Sequence, residues 1–429
     1  MRRLQLPWPV PLAPWRVRPS ACGRRQRLPR RIAIGYAFLG SLSGIALAAS
    51  AAQDTLERSL DAVISTAVAE HRIVGAVVLV ARDGTVVYHR AAGLADREAA
   101  RPMREDTIFN YSSVTKPLVT AAAMKLIEQR RIALDDPVTR WLPDFTPKLA
   151  NGRTPVITLR QLLTHTAGLS YRFLEAPGSD YDRLNVSDGF DQPGLSSEEF
   201  LRRLGATQLR FPPGSGWKYS LSLDVLGLAM ARATATPLPQ LVEQLVTRPL
   251  AMRDTAFRIV DRSRTSAYYV DHESQPARMV EGTQVPLPPG VLRFAPDRLA
   301  DPDSYPSGGA GMAGTAGDFL KFLEAMRKGG APILKSSTVA EMMRVQVATL
   351  NETSPGLGFG FGWAVLVDPT AAKSPQSPGT ITWGGVYGHS WFVDPARKLT
   401  VVAFTNTTLA GTFGAFPNGV RDAVYATHE

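Results

Sequence analysis

Cysteine is almost missing. The chain of 429 residues holds one, Cys22, in its N-terminal segment, so everything after that segment has neither a disulfide nor a thiol nucleophile. The six histidines (His71, His89, His165, His272, His389 and His428) show no metal-ligand spacing, which argues against zinc chemistry. No G-x-S-x-G occurs, which removes the nucleophile elbow of the α/β-hydrolases. Acidic residues are absent from residues 1–51, which carry nine arginines, so of a formal charge of +10 only 10 − 9 = +1 is left for the remainder. The basicity belongs to the leader, and the body carries no electrostatic footprint for nucleic acid. Neither an internal repeat, a Pro/Ser linker nor a charge run divides the chain after residue 55. One unit with two lobes is the economical reading.

What is present begins with that leader. Arg30-Arg31 ends a basic region, Ile32 to Ala48 is apolar with scattered Gly and Ser, and Ala49-Ser50-Ala51 is a small-residue site of the A-x-A kind. Residues 1–51 read as a secretory signal peptide cleaved near Ala51, with 52–429 as the mature domain, periplasmic or secreted and touching the membrane only in transit. Seventeen moderately apolar residues are marginal as an uncleaved anchor.

Ser113-Val114-Thr115-Lys116 lies where an extended segment, Ile108 to Tyr111, runs into an Ala- and Leu-rich helical stretch ending at Asp135-Asp136-Pro137. On a helix, positions i and i+3 share a face at roughly 5 to 6 Å. The motif therefore sets a serine hydroxyl beside a lysine amine, a nucleophile with a base at hand, at a helix start whose free N–H groups favour an oxyanion. The bland alternative is a capping serine beside a solvated lysine. One other lysine has a serine three residues earlier, Ser215/Lys218, but it sits in the Pro- and Gly-punctuated segment Phe211 to Lys218 with no helix to align the pair. Downstream, Tyr219-Ser220-Leu221 opens an apolar run to Met230. Trp383-Gly384-Gly385-Val386 ends a short strand whose glycines allow close backbone approach.

In these three pieces, taken in order, the chain resembles the serine β-lactamase and penicillin-binding superfamily, whose sites combine S-x-x-K, Y-x-N or Y-S-x, and a K-T-G-like strand. The likeness is nearest to the class C-like branch and its family VIII carboxylesterases. It extends through Leu162 to Leu169, Phe211 to Gly214, Leu223 to Gly227, Ala313 to Asp318 and Tyr387 to His389, nearly all of the mature chain. The resemblance implies Ser113 as nucleophile, Lys116 and Tyr219 as proton-shuttling partners, and the N–H groups of Ser113 and Val386 as an oxyanion hole, with no cofactor and no metal. Trp383, Gly384, Gly385 and Leu221 are the substrate-binding positions it implies.

Two departures bear on the substrate. Leu221 stands where β-lactamases usually have an asparagine, and Trp383 where they have the lysine that meets a drug's carboxylate. Both changes suit a neutral small-molecule ester better than an anionic β-lactam. The alternatives are a β-lactamase or DD-peptidase activity, an acyltransferase or amide hydrolase on the same fold, and a ligand-binding relative without catalysis. Oligomeric state is not legible.

The expected fold is α+β (mixed α/β), β-lactamase/transpeptidase-like: an antiparallel sheet from both chain ends, flanking helices and an inserted helical lobe. The sheet lobe takes about 52–110 and 300–429, the helical lobe about 113–300. The patterns predict a helix over Thr55 to Glu70, then strands at Gly75 to Val80, Thr85 to Arg90, Phe361 to Val367, Thr380 to Trp383, Ser390 to Val393 and Leu399 to Thr405, and a last helix from about Asn418. Capping boxes are read at Thr158/Gln161 and Ser196/Glu199. Leu174 to Ser196, rich in Asp, Gly and Pro, reads as a surface loop edging the cleft. His165 reads as structural, and His389 as either cleft-lining or packing.

Overall fold

Ala76 to Ala81 is an unbroken apolar run, the pattern of a strand covered on both faces, and in the computed structural model it lies inside an eight-stranded antiparallel sheet. The structure describes residues 39–350 and 354–426, with side chains from residue 53. Strands β1 (Gly75–Arg82), β2 (Thr85–Asp96) and β3 (Arg101–Pro102) come from the N-terminal part. Between the sheet-forming segments lie three small antiparallel pairs: β4 (Ile108–Asn110) with β9 (Ala313–Thr315), β5 (Tyr269–Val270) with β6 (Ala277–Arg278), and β7 (Thr283–Leu287) with β8 (Gly290–Phe294). The C-terminal part adds β10 (Leu357–Phe359), β11 (Ala364–Leu366), β12 (Ile381–Gly385), β13 (His389–Asp394) and β14 (Leu399–Thr405), in the order β10-β11-β12-β13-β14-β1-β2-β3. The seam between chain ends is β1 on β14, in a register running from Ala76 opposite Thr405 to Arg82 opposite Leu399.

Ten α-helices accompany this frame among the described residues: α1 (Leu39–Ala69), α2 (Thr115–Glu128), α3 (Leu159–Leu163), α4 (Asp180–Arg183), α5 (Ser197–Gly205), α6 (Ser222–Thr234), α7 (Leu238–Val242), α8 (Ala316–Arg327), α9 (Ser336–Met343) and α10 (Ala415–Ala426). Period-two alternation divides the seam strands between two cores. Val77, Leu79, Val402 and Phe404 face the large core with α2 and α8, whereas Val78, Val80, Val401 and Ala403 face Leu56, Leu60 and Ile64 of α1 and Phe416, Val420 and Val424 of α10. The chain divides into two units between Ser50 and Ala51. The leader expected over 1–51 lies outside the described residues as far as residue 38, and no described helix is long and apolar enough to cross a membrane.

The expected strands and helices are present, with shifted bounds: the first helix begins at Leu39 instead of Thr55, β2 runs on to Asp96, and α2 stops at Glu128, short of the Asp135-Asp136-Pro137 end. The expected strand Phe361 to Val367 is shorter, β11 alone at Ala364–Leu366: Phe361 lies in the turn between β10 and β11, and Gly362 at φ 91° makes the bend. The segment 113–300 is less helical than expected, since it contains β5 to β8. Leu174 to Ser196 is also not the surface loop its composition suggests. Tyr181, Val186, Ser187, Asp188, Phe190 and Asp191 are buried, and the Arg172 guanidinium pairs with the carboxylates of Asp188 and Asp191. Buried charge of this kind persists only when paired, and the pairing lets a polar sequence go inside.

Candidate active site

Ser113 stands on a single 3-10 turn, Ser112–Val114, between β4 and α2. β4 is held by pairing with β9, and Met312 N–H donates to Thr115 Oγ1 (3.1 Å) on the first residue of α2. Ser112 is at φ 49°, a left-handed conformation costly for a residue with a Cβ, so strain is stored one residue before the hydroxyl. Pro117 falls within the first turn of α2, where its missing N–H would have had no helical acceptor.

Lys116 is 1% exposed. Its Nζ lies 3.2 Å from Ser113 Oγ, donates to the Gly309 carbonyl (2.9 Å), and sits 4.6 Å from the centre of the Tyr219 ring. Tyr219 reaches the same oxygen, its hydroxyl donating to Ser113 Oγ at 2.6 Å. Trp383 on β12 donates its indole N–H to the Tyr219 oxygen (3.4 Å). The Tyr219 ring is boxed by His165 and Tyr171, each 5.0 Å away between centroids, and by Trp383 at 5.2 Å. This arrangement offers a serine oxygen two proton carriers, one an amine and one a phenol.

Val386 follows β12, beside the Ser113 turn. Gly385 is required there, because a Cβ on it would lie 2.4 Å from the Tyr111 carbonyl oxygen and 3.2 Å from Val114. A Cβ on Gly384 would meet the His389 carbonyl at 2.6 Å. The two glycines thus let β12 close on the turn that carries the serine. The structure brings Ser113, Lys116, Tyr219 and Trp383 into contact and sets Gly385 and Val386 against the same turn. Leu221, expected to line the site, is a correction: at 0% exposure it is a core residue at the start of α6, turned inward as the helix begins. The second Ser-x-x-Lys pair comes apart, with Ser215 donating to the Pro212 carbonyl and Lys218 pairing with Glu175.

Residues that no local spacing announced complete the surroundings. Asp224, on α6, is fully buried, and its carboxyl is pushed up by burial, opposed by a hydrogen bond from Ser307 and the charge of Lys116. A Cβ on Gly309 would fall 2.5 Å from Asp224 Oδ2, 3.0 Å from the Tyr171 hydroxyl and 3.3 Å from Lys116 Nζ, so only glycine fits among these groups. The glycine run Gly308-Gly309-Ala310-Gly311 and the lone acid in the apolar run Leu221 to Met230 were the available signals. His165 is held well below its ordinary pKa, first by burial and then by Lys116, and its Nδ1 lies 3.1 Å from Ser220 Oγ, so it is a neutral wall beneath Tyr219. His389 does not line the cleft. It is buried, with Nε2 2.9 Å from the Asn110 carbonyl oxygen. No group of three or more His, Cys, Asp or Glu among the described residues could hold a metal ion.

Known proteins carry the same frame. Residues 60–424 match the family model described as Beta-lactamase. The chain is 52% identical over 377 residues to Esterase EstB of Burkholderia gladioli, covering 87% of this chain and 96% of that one. Among solved structures, "EstCE1, a hydrolase with promiscuous acyltransferase activity" superimposes with a TM-score of 0.85 at 45% identity, covering 87% and 99% of the two chains. Unliganded simvastatin synthase from Aspergillus terreus, at 24% identity, shares the fold with a TM-score of 0.67 over 86% and 98%. With a strained serine turn, a buried lysine and a glycine-bearing strand in one place, and with these relatives alongside, the chain belongs to the β-lactamase family, within its family VIII carboxylesterase branch.

Proposed function

We propose that the chain hydrolyses carboxylic esters through an acyl-enzyme on Ser113. The observation that carries this is the convergence of Lys116 Nζ and the Tyr219 hydroxyl on Ser113 Oγ at 3.2 and 2.6 Å. Ser113 passes its proton to the Lys116/Tyr219 pair as Oγ bonds to the ester carbonyl carbon, and the tetrahedral oxyanion faces the N–H groups of Ser113 and Val386. Collapse breaks the carbon–oxygen bond to the alcohol, which leaves with the proton returned through Tyr219. Water then attacks the acyl-enzyme, gives a proton to the same pair, and releases the acid while Ser113 regains its hydrogen. A fluorophosphonate should label the wild type and not Ser113→Ala, and Ser113→Ala should turn over no p-nitrophenyl butyrate. Esterase activity surviving in that variant would overturn the assignment.

Neutral esters are the favoured substrates in this reading, because Trp383 sets an indole where a β-lactam's carboxylate would need a cation. Turnover of p-nitrophenyl butyrate should exceed that of nitrocefin, and the reverse order would refute the preference. Acyl transfer to an added alcohol is the second reading, favoured by the activity named for EstCE1. Its mark is an alcohol-dependent yield of transesterified product. Residues 1–51 act, in the same proposal, as an export signal. N-terminal sequencing of protein from a periplasmic fraction should begin near Ala52.

A further inference from the structure

The end of β14 and the turn after it are rich in threonine, whose hydroxyls hold backbone. Thr405 Oγ1 donates to the Gly388 carbonyl (2.9 Å), Thr407 Oγ1 accepts from Val74 N–H (3.0 Å), and Asn406 Oδ1 accepts from Gly75 N–H (3.0 Å), so the turn is pinned to the central strand β1. Two more hydroxyls point the other way. Thr412 Oγ1 donates to the Gly385 carbonyl (2.8 Å), and Thr408 Oγ1 donates to the Val386 carbonyl. The Gly385 carbonyl also accepts from Gly388 N–H at 2.9 Å. That carbonyl and the Val386 N–H belong to one planar trans peptide, in which C=O and N–H point in opposite directions. Fixing the oxygen with two donors therefore fixes the direction of the N–H. Among the described residues that N–H has no acceptor.

We propose that Thr412, assisted by Thr408, is a positioning residue that aims the Val386 amide at the oxyanion. It touches no substrate and acts through the Gly385–Val386 peptide. The Thr412 methyl shares the task, lying where a Cβ on Gly384 would meet it at 3.2 Å, so the side chain both seats β12 and orients its last peptide. This rests on the acyl-enzyme reading and deepens it. An amide left free to rotate stabilises the oxyanion less than one preorganised by its surroundings, whereas ground-state binding is barely affected.

The test is steady-state kinetics on p-nitrophenyl butyrate together with inhibition by an aryl trifluoromethyl ketone, which Ser113 would convert to an oxyanion adduct. Thr412→Val keeps the shape and loses the hydroxyl. Its kcat should fall about 10- to 100-fold, with KM within about two-fold and the ketone's Ki rising by the same factor as the loss in kcat/KM. Thr412→Ser should recover most of the loss. An unchanged kcat in folded Thr412→Val, a loss confined to KM, or an equal loss in the serine variant would overturn the proposal. If Thr412→Val does not fold, Thr408→Val decides by the same signature. Ser113→Ala run alongside separates the two failures: activity remaining there sinks the acyl-enzyme reading itself, whereas a silent Ser113→Ala beside an unaffected Thr412→Val sinks only the threonine clamp.

Discussion

At the scale of single residues, the site depends on atoms that have little room to move. Lys116→Ala and Tyr219→Phe should each lower kcat by about 10²- to 10⁴-fold with far smaller effects on KM, measured on a p-nitrophenyl ester series. Gly385→Ala drives a Cβ toward the Tyr111 oxygen at 2.4 Å, so it should lower both melting temperature and kcat because β12 can no longer close on the serine turn. His389 gives a pH signature. Burial holds its pKa at about 4 instead of the ordinary 6.5, so above 6.5 it is neutral folded or unfolded and contributes nothing. Between 6.5 and 4 the unfolded chain binds a proton that the folded one refuses, so stability falls as pH drops through that window and levels off below it, by up to about 3 kcal/mol. Urea midpoints from pH 7 to 4 should slope less in His389→Gln than in the wild type, and equal slopes would refute the assignment. Ser113 and Lys116 were legible because three residues of helix-like chain set their distance. Asp224, Tyr171, Gly309 and Thr412 were not, because their meeting depends on long loops that no spacing rule measures. Leu221 was misread for a related reason: position after Tyr219 suggested the cleft, but the first turn of α6 rotates the side chain into the core.

At the scale of elements, local capping chemistry decides where helices begin. Thr158 accepts from Gln161 N–H while the Gln161 side chain accepts from Thr158 N–H, a complete reciprocal box. Thr158→Ala should cost about 1 kcal/mol in chemical denaturation. Ser196 caps α5 through Glu199 N–H only, because the Glu199 carboxylate is drawn to Arg202 and Arg203. The sequence spacing was the same in both cases, and competing arginines one turn on made the difference. Strands were easier to read than loops. β14 falls on the predicted residues, since seven consecutive apolar or β-branched positions admit little else, whereas β5 to β8 are short and half-polar and left no periodicity to find.

At the scale of the whole molecule, the sheet and its second core are assembled from sequence extremes. Leu60 of α1 is fully buried in that core and not in the one that carries Val114 and α2, so Leu60→Ala should cost about 2 to 5 kcal/mol while leaving KM unchanged in the folded fraction. A thermal melt paired with kinetics below the transition separates the two effects. The architecture itself could be read because the strand-like runs, Gly75 to Val80 and Leu399 to Thr405, lie toward the two ends, whereas apolar runs of the middle such as Leu221 to Met230 read as helix. The seam of β1 on β14 has a consequence for biosynthesis. As the polypeptide leaves the ribosome, β1 emerges early and waits for its partner until all the chain between Arg82 and Leu399 has been made. A product truncated before Leu399 would leave one long edge of β1 without the strand that covers it, open to pairing with another such chain.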